Sequence, residues 1–459
     1  MKYKFFMALA AVGLMTACSN NDTILDEGEE PSITIPENKD DLVSLTIGVA
    51  SPSTKTTSSS TRGAGVVGGI NSADNVWKKQ TLWLFMMNKG TVKPSQFITS
   101  KGTESMTIRL FNNKRMIAPN NVASGLLTPT DGAVNYYPMA GNFDFWGYYV
   151  DDAAITSTGT SIDLTDSLNA PEVKYVNISG NEVSASYAEK VLVPVKIDGS
   201  QDLMAGKATL GKSETDLLPS GNNDRYYSAY AAKKGIDPNI QFKHLLTRFT
   251  FNVVAGDKTS AGKGEDGKTK ALSVTDIQVR SHTTGNMVVA YKSEPSEMIE
   301  WDNTYSWLSL KEKSKDSTIK TLQSLTPKVL EWADDAENGT VLPLGESLLV
   351  YPNQTSYDVN IRVTQWVQIN ENEPETAVAG TNKPTDYDPS KPELVAKYKG
   401  TWSLETHVFK TTVELSDNTK FQAGTSYDVT VYLYGLTQIV SKSTLGKWDK
   451  GEDITANKQ

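Results

Sequence analysis

Cys18, the chain's only cysteine, has the most definite chemistry in the sequence, because it closes a run suited to export and acylation. Lys2 and Lys4 make a short basic start, residues 5–15 are apolar, and Thr16-Ala17 place small residues before the thiol, which is the layout of a secretory signal peptide. Leu14-Met15-Thr16-Ala17-Cys18 further resembles a bacterial lipobox, with Met15 where Leu is usual; such a Cys is acylated and becomes the first residue once residues 1–17 are removed. An ordinary signal peptide with an incidental Cys is the alternative. Acyl chains contribute about 0.8 kcal/mol per buried methylene, so a multiply acylated Cys18 would hold the protein on a membrane without a spanning helix. No later stretch reaches the roughly 18 consecutive apolar residues of a membrane span. A chain with no other thiol also cannot mispair in an oxidising compartment.

The other chemistry-bearing patterns lack the context they need. Gly63-Ala64-Gly65-Val66-Val67-Gly68 matches a dinucleotide fingerprint, but it follows a Ser/Thr-rich linker rather than a strand. Residues 206–213 (GKATLGKS) match a phosphate loop, yet only ETDLL separates them from Pro219, too little chain to offer a phosphate the dipole of a helix. His244, His282 and His407 are the only histidines and show no metal-ligand spacing. No metal, no cofactor and no enzymatic activity are expected; a glycoside-acting enzyme would need a carboxylate pair in a cleft, and nothing in the spacing of the acids recommends one. With 45 Lys+Arg against 54 Asp+Glu, a net charge of -9 and no basic-aromatic cluster, nucleic acid is not an expected partner.

The elements that must position these residues read as strands. Residues 81–87, 143–150, 190–197, 249–254, 272–279, 347–351, 357–367, 406–415 and 427–433 are rich in β-branched and aromatic side chains, and turn residues such as Pro138, Gly141, Pro352-Asn353 and Ala423-Gly424 separate them. Helical periodicity is confined to 225–234 and to 321–332, the second interrupted by Pro327. An all-β chain of two β-sandwiches in series is expected, with the polar passage 211–237 between them and domains over 63–235 and 236–459.

Ahead of the sandwiches, residues 19–41 are acidic and polar, the composition of a solvated tether. Residues 42–49 then alternate, with Val43, Leu45, Ile47 and Val49 apolar and Ser44, Thr46 and Gly48 between them, the period of a half-buried strand that needs a sheet to lie on. Residues 51–69 are Ser, Thr and Gly-rich around a single Arg62, an accessible sequence for a protease, although an Arg in a loop also occurs without any such purpose. At the other end, residues 436–445 (LTQIVSKSTL) mix apolar and polar positions after the last sandwich strand, and the tail continues through Trp448 to Ile454.

Several segments together resemble the fimbrillin family, the subunits of type V fimbriae and their relatives on Gram-negative surfaces. They are residues 136–149 (YYPMAGNFDFWGYY), 201–204 (QDLM), 242–251 (FKHLLTRFTF), 274–279 (VTDIQV) and 421–431 (FQAGTSYDVTV) leading to 446–448 (GKW), in that order. The chain departs from the family in placing Ala-Gly after QDLM, and residues 368–398 have no counterpart. The resemblance implies transthyretin-like sandwiches and a lipoprotein anchored to the outer membrane through Cys18. It also implies an Arg-specific protease that cuts between Arg62 and Gly63 and releases residues 18–62 with the strand carrying Val43, Leu45, Ile47 and Val49. A neighbouring subunit's residues 436–455, with Leu436, Ile439, Leu445 and Trp448, would then fill the vacated groove and build a surface fimbria that serves adhesion. Removal of 1–17 takes two lysines and the charge to -11, and loss of 18–62, with eight acids against three bases, brings it to -6, so the acidity is concentrated in the released piece. Two alternatives stand beside this: a tail that is an ordinary edge strand of its own domain, and a non-polymerising surface lipoprotein that binds glycans through aromatics such as Trp366 or Trp402. His244 and Arg248 are expected to pack or pair inside the second sandwich.

Overall fold

The computed structural model describes residues 43–50, 76–92, 96–101, 104–132, 134–138, 141–150, 171–219, 226–263, 270–314, 322–334, 336–368, 402–415, 419–436 and 438–445. They form an all-β protein whose strands occupy four main sheets and three two-stranded ladders. The first and largest sheet runs, in spatial order, Ser124–Leu126, Gly48–Ala50, Asn239–His244, Leu203–Ala208, Phe143–Val150, Thr81–Asn88, Lys114–Ile117 and Thr128–Pro129. The second is Lys174–Val176, Lys190–Lys196, Thr284–Tyr291 and Ile299–Trp301. The third is Leu342–Val350, Thr247–Ala255, Ser426–Tyr434 and Gln438–Leu445; the fourth is Tyr305–Ser309, Ser273–His282, Ser356–Gln368 and Trp402–Glu414.

The first sheet is covered on both faces, which is why its central strands read as continuous apolar runs rather than as alternation. Along Thr81–Asn88, Trp83, Phe85 and Met87 enter one core while Leu82, Leu84 and Met86 enter the other. Phe143–Val150 divides the same way, Phe143 and Phe145 to one side, Trp146, Tyr148 and Val150 to the other. The second sheet closes the Trp146 side, where Trp146 meets Tyr291 edge-on at 6.2 Å. The third and fourth sheets pack face to face around Phe249, which meets Tyr357 at 5.1 Å and Phe421 at 5.2 Å in edge-to-face contacts. All four sheets contribute to one continuous core. Strand pairing also ignores the polar passage 211–237: Asn239–His244 pairs with Leu203–Ala208, and Thr284–Tyr291 pairs with Lys190–Lys196, each joining a strand after that passage to one before it.

Each of the nine expected strand regions overlaps a strand. The helix expected within 225–234 is Ala229–Lys233, capped by the Ser228 hydroxyl accepting from Ala231 N at 3.2 Å. Of the helix expected over 321–332, the described residues 322–332 are not helical. Leu322–Ser324 pairs with Lys311–Lys313 and Lys328–Val329 pairs with Ser273–Val274, because Pro327 disfavours helix for Thr326 and the ladder supplies the backbone partners a helix would have.

Candidate functional site

Residues 43–50 lie inside the first sheet. Gly48, Val49 and Ala50 pair in parallel with Asn239, Ile240 and Gln241 on one side and antiparallel with Leu126, Gly125 and Ser124 on the other. The remainder of the segment is stitched in as well: Tyr137 N donates to Val43 O at 2.9 Å, Leu45 N to Asn135 O at 2.8 Å, Leu127 N to Ile47 O at 2.8 Å and Gly48 N to Pro238 O at 2.8 Å. The alternation read from the sequence is realised in burial. Leu45, Ile47 and Val49 are 7%, 2% and 0% exposed, Val43 packs against the same core, and Ser44 points outward.

The core that receives them contains Ile240, Phe242, Trp77, Tyr137, Phe143 and Phe145. Trp77 meets Phe242 edge-on at 5.3 Å, and Tyr137 meets Phe145 edge-on at 6.2 Å. Burying a side chain of this size is worth about 1.5–3 kcal/mol. Leu45, Ile47 and Val49 together then contribute roughly 5–9 kcal/mol, a sum comparable to the about 5–15 kcal/mol that holds a whole domain folded. Removing the segment would also strip two flanking backbone edges of their partner.

The two flanking strands were hidden in the sequence to different degrees. Asn239–His244 alternates exposed and buried from end to end, and Ile240, Phe242 and His244 on its inner face were a legible signal. Ser124–Leu126 carries none, being three residues of Ser, Gly and Leu with both ends exposed.

The C-terminal segment is placed differently. Gln438–Leu445 forms a hairpin with Ser426–Tyr434, from Tyr434↔Gln438 to Tyr427↔Leu445, and is an outer strand of the third sheet. Leu436, in the turn, is partly buried and packs on the large core; Ile439 and Leu445 are residues of the strand; Trp448 lies outside the described residues. Gly435 turns the hairpin at φ 61, and its N–H donates to Ser260 Oγ at 2.6 Å. Cys18, Arg62 and Gly63 also lie outside the described residues.

Three of the segments that carry the fimbrillin resemblance converge where the chain passes from Asn239–His244 of the first sheet to Thr247–Ala255 of the third. Asp202 Oδ2 and His244 Nδ1 are 2.8 Å apart, both buried, which joins 201–204 to 242–251. Thr247 Oγ1 donates to Gln422 O at 2.9 Å and Gly424 N donates to Leu246 O at 2.9 Å, which adds 421–431. Arg248, fully buried, donates from Nε to Ser347 Oγ at 2.6 Å. Burial pulls its guanidinium down to about 10, against the opposing pull of Asp202, Asp428 and Glu346. These groups tie strands together. His244 belongs to the first sheet rather than to the second sandwich, and Arg248 to the third.

The phosphate-loop pattern has a purely architectural explanation. Gly206 sits in Leu203–Ala208 where a Cβ would collide with the Gln241 carbonyl, and the Lys212–Asp216 helix beyond Gly211 is a single turn. Trp366 is 6% exposed and presents no face to a glycan, since Ser356–Gln368 turns it into the interior; the Trp402 side chain lies outside the described residues. Among the described residues no group of acids and histidines could hold a metal ion, and no helix is long and apolar enough to cross a membrane.

No family model matches the chain, and no curated protein matches it. Among solved structures it is similar to a "putative cell adhesion protein" from Bacteroides uniformis, at 12% identity and a TM-score of 0.37, over 90% of this chain and 100% of that one. It is also similar to the tip fimbrial protein of Porphyromonas gingivalis with C-terminal truncation, at 8% identity and a TM-score of 0.27, over 88% of this chain and 100% of that one. The fimbrial anchor protein of the same organism stands at 8% identity and a TM-score of 0.25, over 88% and 99% of the two chains.

Proposed function

We propose that this chain is a structural subunit of a surface fimbria serving adhesion, exported as a lipoprotein through Cys18, cut between Arg62 and Gly63, and polymerised by strand donation. In this reading residues 43–50 occupy the first sheet until cleavage frees them, and the C-terminal segment of a second copy takes the place they leave. The observation that carries the reading is the interior position of 43–50: a segment upstream of Arg62 supplies a strand with neighbours on both sides and three buried side chains. A subunit that lost it would face an opened core and two bare edges, a state that captures any strand of matching alternation. Donor and slot lie on different sheets of one molecule, so the contact is heterologous and extends into a filament rather than closing into a dimer.

The test is to treat the purified chain with an Arg-specific protease and follow its size on a denaturing gel without boiling. Cleavage that exposes Gly63 is expected to give a ladder of stable multimers, and Arg62→Ala is expected to remain a single band. A cut chain that persists as a folded monomer, or surface protein that all retains an acylated Cys18, overturns the proposal.

A further inference from the structure

The assembly reading leaves unused a cavity of about 450 Å³ between the end of the strand Asn239–His244 and the second and third sheets. Its walls combine two partly buried aromatic rings, Trp301 and Tyr351, with the polar side chains of Gln241, Lys243, Glu297 and Asn353. The volume lies within the roughly 300–1,000 Å³ common to small-molecule sites. The rings of Trp301 and Tyr351 meet edge-on, 5.8 Å apart at 66°, and together make one aromatic corner of the lining.

The aromatic surface continues out of the cavity. Tyr351 meets His282 edge-on at 4.3 Å, and His282 lies 3.9 Å from Tyr305, which is 47% exposed on the outer strand Tyr305–Ser309 of the fourth sheet. The Arg280 guanidinium lies 5.1 Å from the centre of the Tyr305 ring, which stays about half exposed. A path of rings therefore runs from the cavity to the outer face of the fourth sheet.

From this arrangement the geometry points to a binding site for a neutral oligosaccharide. Sugar rings pair apolar C–H faces with a girdle of hydroxyls, which requires flat aromatic walls and short polar side chains in one place. Tyr351 is pushed up to about 12 by burial, with Tyr305 and Glu297 adding to the shift, so its hydroxyl remains a hydrogen-bond donor at neutral pH. Asn353 Nδ2 donates to Glu297 Oε1 at 3.3 Å, a long bond that a ligand hydroxyl can enter from either partner. Lys243 and Glu297 offset one another in charge, which removes the preference that a phosphate or a uronic acid would need. A wholly apolar ligand would leave Glu297 and Asn353 desolvated without compensation. The site does not depend on polymerisation, and an Arg62→Ala chain should carry it unchanged.

The experiment is calorimetric titration of the purified full chain with cellotetraose, chitotetraose and maltotetraose, followed in parallel by tryptophan fluorescence. At least one is expected to bind with a dissociation constant on the order of 1 mM or below. Tyr305→Ala, at an exposed position, is expected to weaken that binding roughly three- to tenfold, the fold-change of one aromatic contact. Asn353→Ala should weaken it while the thermal midpoint holds, and Trp301→Ala should abolish it. The proposal fails if none of the three sugars produces heat or a fluorescence change, or if binding is indifferent to both Tyr305→Ala and Asn353→Ala. It also fails if a peptide of residues 436–450 displaces the sugar and loses affinity with Asn353→Ala, since the cavity would then be part of a protein contact.

Discussion

Residues 43–50 and Gln438–Leu445 come from opposite ends of the chain, the first alternating apolar and polar residues and the second mixing them without a strict period, and their sheets hold them in opposite ways. The first has a strand on either side and drives Leu45, Ile47 and Val49 into a core. The second is hydrogen-bonded to Ser426–Tyr434 alone among the described strands and lies at the margin of its sheet. An interior strand cannot leave without exposing both its neighbours and its own buried side chains, whereas a marginal strand gives up one ladder. That asymmetry assigns different parts to the two segments in the proposed assembly: the costly departure needs a protease to make it irreversible, and the cheaper one leaves a strand available for a neighbour.

The largest effect expected to test this contrast is at Ile47. Ile47→Ala should cost about 2–5 kcal/mol by removing a buried side chain, and Ile47→Asp should cost more by burying an unpaired carboxylate. Denaturant unfolding measures both, and a change below the noise for Ile47→Ala would show that the slot closes without the segment. Deleting residues 438–459 is the next largest. The chain should remain folded by circular dichroism, with a thermal midpoint lower by several degrees at roughly 2–4 °C per kcal/mol, and should fail to polymerise after cleavage. Complete unfolding on that deletion would erase the distinction between the two segments.

A finer comparison uses the hairpin turn. Gly435 adopts φ 61, so Gly435→Ala should destabilise the attached strand by about 1 kcal/mol, visible as faster amide exchange in Gln438–Leu445 with none in Gly48–Ala50. The smallest effect is a control outside both segments. Burial works to raise the Asp198 carboxyl, but hydrogen bonds from Lys311 and Ser200, with the Lys311 charge, outweigh it and leave the group below its ordinary range. A depressed folded value means that the pair's stabilisation is present above the unfolded value of about 3.9 and is lost as pH falls through the folded one. Lys311→Met should therefore lower the midpoint slightly at neutral pH and leave it unchanged once Asp198 is protonated; the same shift at both pH values would contradict the sign.

The sequence showed the slot segment more clearly than the slot. Val43, Leu45, Ile47 and Val49 announce a strand by their spacing, but their burial depends on Asn239–Gln241 and Ser124–Leu126, which lie far away in the chain and, for the second, have no pattern of their own. The 321–332 misreading has a related cause. Leu325 and Leu330 are buried and invite a helical reading, and only the pairing of Leu322–Ser324 with Lys311–Lys313 and of Lys328–Val329 with Ser273–Val274 reveals that the stretch is extended. The aromatic cavity was illegible for the same reason: Trp301, Tyr351 and Asn353 approach Lys243 only once three sheets have packed.

By itself the sequence determined the all-β class, the course of the main strands and the alternation of the segment before Arg62, because these follow from local backbone preference and a period of two that neighbours along the chain enforce. Only the tertiary structure decided that this segment is interior while the tail is marginal, and that the passage 211–237 does not separate the sheets. Those outcomes depend on which distant backbone edges meet, and hydrogen bonds between edges leave no trace in residue order.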